Sequence, residues 1–142
     1  MIFFWTLIFF NIFVSAEDSV KTIDIEKAAG LLKKGVAFID NRPEFKFNRG
    51  HIKGAVNLPF FKPGHSTNKM TRENLFKTVG KNKKIVFYCS GKMRAYHAAK
   101  QAEKWGLEAK IFWYKQGFEE WKDKKKSSVE CKESSEGICD IF

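Results

Sequence analysis

Residues 1–16, MIFFWTLIFFNIFVSA, contain no charged side chain. A bilayer-spanning helix needs about 20 apolar residues, and this stretch is shorter and broken by Thr6 and Asn11, so a retained membrane anchor is the second choice. The run ends on Val14-Ser15-Ala16, small residues suited to a signal peptidase. The pattern predicts a secretory signal over 1–16, cleaved before Glu17, and an exported protein, periplasmic or secreted. No Lys or Arg follows Met1 in this leader, so only the amino terminus supplies its positive charge.

Acidic side chains are also scarce, with 16 Asp and Glu against 26 Lys and Arg and a formal net charge of +10. Loss of the uncharged leader leaves that balance as it is. A field of this sign draws anions toward any cleft that focuses it, or toward acidic polymers and membrane surfaces, while many lysines merely solvate the surface. Nucleic acid is excluded as a partner: no Arg-aromatic motif of a known reader occurs, and export would separate the two. There is no internal repeat, and 142 residues leave no room for two substantial cores. One domain over 17–122 is expected.

Cysteine occurs only three times. Cys131 and Cys139 fall in a Lys/Ser/Glu-rich ending, 123–142, read as a flexible tail. In an oxidising compartment the simplest fate of such a local pair is a disulfide. A dithiol that receives sulfur or resolves an intermediate is the alternative. Their spacing is wide for a metal knuckle and no His accompanies them, so no metal is expected there. Cys89 remains as the odd thiol.

Between leader and tail, β-branched and aromatic runs alternate with helical patterns. Val20 to Ile23 opens a strand, and DIEKAAGLLKKG follows with Asp24 as N-cap and Gly35 as stop. VAFID at 36–40 is apolar enough to be buried on both faces. After a turn at Gly50 to Gly54 come a short strand at 55–59, a helix in TRENLFKTVG, the strand KIVFYC, a helix from Met93 to Trp105, the strand AKIFWY and a closing helix in GFEEW. This order predicts an α/β fold, a parallel sheet with helices on both faces. Such sheets bind ligands at the carboxyl ends of their strands, and Cys89 stands at such an end.

In IVFYCSGKMRAYHAAKQAEKW the strand delivers the thiol to the rim, SGK folds tightly, and a helix begins near Met93 or Arg94. The loop's N–H groups can converge on an anion. Lys92, Arg94 and the helix terminus favour the thiolate, the attacking form. A lone cysteine can equally be a small core hydrophobe, but two cations and a Gly within five residues suit an anion cradle.

Three stretches in order resemble the rhodanese-like family of sulfurtransferases. FIDNRP followed by FNRGHIKGAVNLP is similar to its early signature, YCSGKMRA to its active loop with Arg five positions after Cys, and GFEEW to its closing motif. The resemblance implies a parallel five-stranded sheet flanked by helices and Cys89 as the residue that accepts a sulfane sulfur. It implies attack of Cys89 on the outer sulfur of thiosulfate or a similar donor, a Cys89 persulfide, and transfer to cyanide or a thiol, including a protein thiol, with no metal and no organic cofactor. The N–H groups of Ser90, Gly91, Lys92, Met93 and Arg94 would cradle the sulfur, and Lys92 and Arg94 would orient the donor. Family loops commonly place their Gly third after Cys, whereas here Gly91 is second and Lys92 third.

Asp40 and Arg42 are expected near the loop as a supporting ion pair. His51 reads as a hydrogen-bonded turn histidine, Phe47 as the signature aromatic, and Glu44 as a surface carboxylate. His97 could reach the rim or face solvent, and His65 shows no partner. Ile111 to Tyr114 is expected as strand core. Two rivals remain. A cysteine-dependent phosphatase would need His-Cys and five residues before Arg, but Tyr88 precedes Cys89 and only four residues separate it from Arg94. A persulfide carrier serving a protein partner would use the same residues as the enzyme.

Overall fold

The computed structural model describes residues 18–124, 126, 128–131 and 139–141. The leader and its cleavage site lie outside the described residues, as do residues 132–138 of the tail. Five parallel strands form the main sheet: β1 (Val20–Ile23), β2 (Ala37–Asp40), β4 (Val56–Asn57), β5 (Lys84–Tyr88) and β6 (Lys110–Tyr114). Their spatial order is β1-β6-β5-β2-β4. In register, Asp40 lies beside Tyr88 and Tyr88 beside Tyr114, so the strands end level with one another, one residue before Cys89.

The two-residue period of a strand sorts the core into two layers. Ile85 and Phe87 face one side with Ile111 and Trp113, under α3 (Arg72–Val79) and α4 (Arg94–Lys104). Val86 and Tyr88 face the other with Phe38, Phe112 and Tyr114, under α1 (Ile25–Lys33) and α5 (Gly117–Asp123). Helices thus cover both faces of a parallel sheet, the expected rhodanese-like α/β architecture, and Ile111 to Tyr114 is buried strand core. Four alanines of α4, Ala95, Ala98, Ala99 and Ala102, are fully buried, and their small volume lets this helix sit close on the sheet behind the active loop. Asp24 caps α1 by accepting from Lys27 N at 2.8 Å, and Thr71 caps α3 by accepting from Asn74 N at 3.1 Å; such caps contribute about 1 kcal/mol each.

Three sequence expectations need correction. Residues 44–49 form a helix, α2 (Glu44–Arg49), where none was expected. The turn at Gly50 to Gly54 begins with a strand, β3 (Gly50–Ile52). The described part of the supposedly flexible tail is structured: β7 (Ser128–Cys131) and β8 (Cys139–Ile141) join β3 in an antiparallel sheet of order β3-β7-β8. The cause is an edge requirement, since β3 offers unpaired backbone groups that a returning chain segment satisfies. Register pairs Gly50 with Glu130 and sets Cys131 opposite Cys139.

Candidate active site

Cys89 follows β5 directly and is 2% exposed. Its Sγ–H donates to the Lys92 carbonyl at 3.0 Å, which curls the loop around the sulfur. A cavity of about 150 Å³ opens over this point, lined by Lys46, Cys89, Ser90, Lys92 and Arg94. Three of its five lining residues are cations and none is acidic, so the space favours a small anion beside the sulfur. The N–H groups of Ser90, Gly91, Lys92 and Met93 donate to no backbone carbonyl among the described residues. Helix α4 starts at Arg94 without a side-chain cap, which leaves its first N–H groups available to the same anion.

The closing motif holds this loop from behind. Phe118 N donates to the Cys89 carbonyl at 2.8 Å. Gly117, at φ +66°, lies so close that a Cβ there would stand 2.1 Å from the Cys89 oxygen and 2.5 Å from Gly91 N. Gly91, at φ +115°, is pressed against Gln116, and a Cβ would meet the Gln116 oxygen at 2.6 Å. Both positions need the absence of a side chain twice over, for backbone conformation and for space. This explains why Gly falls second in the loop.

Asp40 and Arg42 are buried, at 0% and 3% exposed. Arg42 Nε donates to both Asp40 oxygens at 3.0 Å and its terminal nitrogen to Oδ2 at 2.6 Å and to the Gly50 carbonyl at 2.7 Å. Burial opposes the guanidinium charge, but the hydrogen bonds and charge of Asp40 outweigh it and hold Arg42 above its ordinary value. The Arg42 guanidinium lies 4.3 Å over the Phe118 ring. The pair does not line the cavity; it positions Phe118, which in turn holds the Cys89 carbonyl. Tyr88 completes the layer by accepting from Ile52 N at 3.1 Å, and burial first, then the Asp40 charge, push its phenol well above the ordinary range. Arg42→Ala leaves a buried carboxylate unpaired, and we expect a loss of about 3–5 kcal/mol in urea unfolding. Arg42→Lys will not restore it, because an ammonium cannot form the same fork.

The remaining residues sort clearly. His51 Nδ1–H donates to the Phe47 carbonyl at 2.9 Å and its ring stacks on Phe47 at 3.7 Å, fastening α2 to β3. Glu44 is exposed yet paired with Lys69 at 2.6 Å. His65 has a partner that the sequence did not indicate, the Thr67 hydroxyl at 2.8 Å. His97 is exposed and does not line the cavity. Two residues escaped the sequence reading. Lys46 reaches the cavity from α2. Asn57 donates to the Asp40 and Arg42 carbonyls at 3.0 and 2.9 Å; only its place in the early signature hinted at it.

The sequence model of the Rhodanese-like domain matches residues 24–124, and the chain belongs to this family. It is 27% identical over 90 residues to Rhodanese-like domain-containing protein 17 of Arabidopsis thaliana, an alignment covering 60% of this chain and 58% of that protein. The chain thus spans little more than half the length of this curated relative. The solution structure of the rhodanese-like domain of the Anabaena Alr3790 protein superposes with a TM-score of 0.59 at 21% identity, covering 85% of this chain and 89% of that one. A protein of Rhodopseudomonas palustris, RPA3614, described as a possible tyrosine phosphatase, superposes with a TM-score of 0.57 at 26% identity, covering 76% of this chain and 83% of that one. Domains of this family serve in general in sulfur transfer or persulfide chemistry.

Proposed function

We propose that this protein is a sulfurtransferase that takes a sulfane sulfur from thiosulfate or a similar small anion and passes it on through a Cys89 persulfide. One observation carries the reading: Cys89 lines a small cavity whose other lining residues are Lys46, Ser90, Lys92 and Arg94. The Cys89 thiolate attacks the outer sulfur of thiosulfate. A new S–S bond forms at Cys89, the S–S bond of the donor breaks, and sulfite leaves with the bonding pair. Lys92, Arg94 and Lys46 neutralise the donor and the departing sulfite, and the loop N–H groups hold the terminal sulfur. An acceptor such as cyanide then attacks that sulfur, thiocyanate leaves, and Cys89 regains its thiolate. Thiocyanate formation from thiosulfate and cyanide tests this activity, and its absence under any donor concentration would remove the enzymatic reading.

A phosphatase reading has the RPA3614 likeness in its favour, but four residues between Cys89 and Arg94 make a smaller ring than five, suited to one sulfur atom rather than a tetrahedral oxyanion. A persulfide carrier for a protein partner shares every residue of the enzyme. It separates from it by kinetics: a carrier loads from the donor but discharges only to a protein thiol.

Lys46 gives a further check. Lys46→Glu reverses a charge at the cavity mouth, and we expect the KM for thiosulfate to rise roughly fivefold at low ionic strength with kcat little changed, the scale of an exposed ion pair. Steady-state kinetics should show this difference shrinking as salt is added, because screening shortens the reach of exposed charges. Two proposals concern the rest of the chain. Residues 1–16 direct export, to be checked by the amino terminus of the protein recovered from its native cells. Cys131 and Cys139, opposite in register, form a disulfide, read as the loss of two hydrogens in intact mass without reductant.

A further inference from the structure

Among the described residues four large apolar side chains are exposed: Phe45 at 57%, Met93 at 47%, Val56 at 41% and Phe61 at 40%. Three of them are chain neighbours of residues that line the cavity, or in ring contact with one. Met93 lies between Lys92 and Arg94, two of the lining residues. The Arg94 guanidinium sits 5.4 Å over the Phe61 ring. Phe45 precedes Lys46 on α2 and carries the Arg49 guanidinium over its ring at 5.7 Å. The Lys69 to Glu44 ion pair ties the segment that follows Phe61 to the start of α2. Exposed apolar side chains and the cations Lys46, Arg49, Lys92 and Arg94 thus share the two segments, 45–49 and 92–94, that supply the cavity's charged lining, with Phe61 joined to them through Arg94.

A donor of a few atoms fits within about 150 Å³ and needs none of the three. Exposed aromatics in ring contact with arginine, and an exposed methionine between two cations, have the composition of a protein-binding surface. We infer that this rim docks an acidic protein segment whose own cysteine takes the sulfur from Cys89. Its acidic side chains meet the four cations and its apolar side chains cover Phe45, Phe61 and Met93. A membrane surface answers the charge less well, since a flat bilayer would seal the opening rather than insert a thiol into it. The identity of the cysteine as sulfur acceptor rests on the proposed sulfur transfer; the docking itself does not. In the transfer, the partner's thiolate attacks the terminal sulfur of the Cys89 persulfide. That S–S bond breaks, Cys89 keeps the electron pair as thiolate, and the partner leaves as the persulfide.

The test uses the ¹⁵N-labelled protein and two synthetic peptides, each with one cysteine, one flanked by Asp, Glu, Leu and Phe and the other with Lys in place of the acids. Amide shift changes read docking whether or not any persulfide forms. The acidic peptide should shift residues 45–49, 60–65 and 90–94, the basic one should not, and Phe45→Ser should weaken acidic-peptide binding about tenfold, the scale of an interfacial aromatic. Phe45→Ser should leave thiosulfate and cyanide turnover unchanged while slowing discharge of the loaded protein to the acidic peptide by a similar factor. Shifts scattered over lysines elsewhere, or acidic-peptide binding within twofold in Phe45→Ser, would overturn the inference. So would Phe45→Ser losing affinity for phosphatidylglycerol vesicles but not for the peptide, which would assign the rim to a membrane. A protein that docks the peptide but never gains sulfur on Cys89 would instead remove the sulfur-transfer reading and leave the surface standing.

Discussion

Cys89→Ser will fold and will not turn over. The side chain is 2% exposed and among the described residues its one hydrogen bond runs to the Lys92 carbonyl at 3.0 Å, a contact that a serine hydroxyl can also make. Thermal unfolding should therefore shift little. Thiocyanate formation should nevertheless fall to background, several orders of magnitude below the parent, since no other residue in the cavity can become the covalent sulfur carrier. Turnover persisting in Cys89→Ser at more than a small fraction of the parent would place the chemistry elsewhere, with Cys131 and Cys139 the next candidates.

Gly117→Ala should also cost activity, through geometry alone and by a smaller factor. A Cβ at this position would stand 2.1 Å from the Cys89 carbonyl oxygen, a contact that real structures do not tolerate, and the neighbouring atoms are backbone that cannot swing aside. The loop must move, and displacement of a reacting group by about 1 Å can cost roughly 10²-fold in rate. Gly35→Ala provides the control. It has a similar positive φ of 74° but nothing within 4 Å of a Cβ, so it should cost only about 1 kcal/mol of stability and leave kcat/KM intact. If both variants lose activity alike, backbone strain rather than the contact behind Cys89 is the cause.

The two faces of the sheet were legible because β2 is apolar on both sides, and a strand that alternates nothing must be buried twice. The capping residue Asp24 made α1 equally plain. Helix α2 was hidden for the opposite reasons: it has six residues, Pro43 at its N-cap offers no side-chain bond, and it buries none of its side chains. With α2 unseen, Lys46 could not be placed beside Cys89. The cavity itself exists only where α2 meets the loop of residues 89–94, a contact between segments some forty residues apart that no local pattern encodes. Composition misled at the tail, where Lys, Ser and Glu suggested solvation while β7 found its partner in the exposed edge of β3. The Cys-to-Arg spacing was readable, but the reason for Gly91 came only from the approach of Gln116.

Treatment of the protein with thiosulfate alone, followed by intact mass under non-reducing conditions, tests the central claim most directly. The account predicts a gain of one sulfur atom, reversed by cyanide and absent in Cys89→Ser. No gain in the parent protein, or an equal gain in Cys89→Ser, would contradict it.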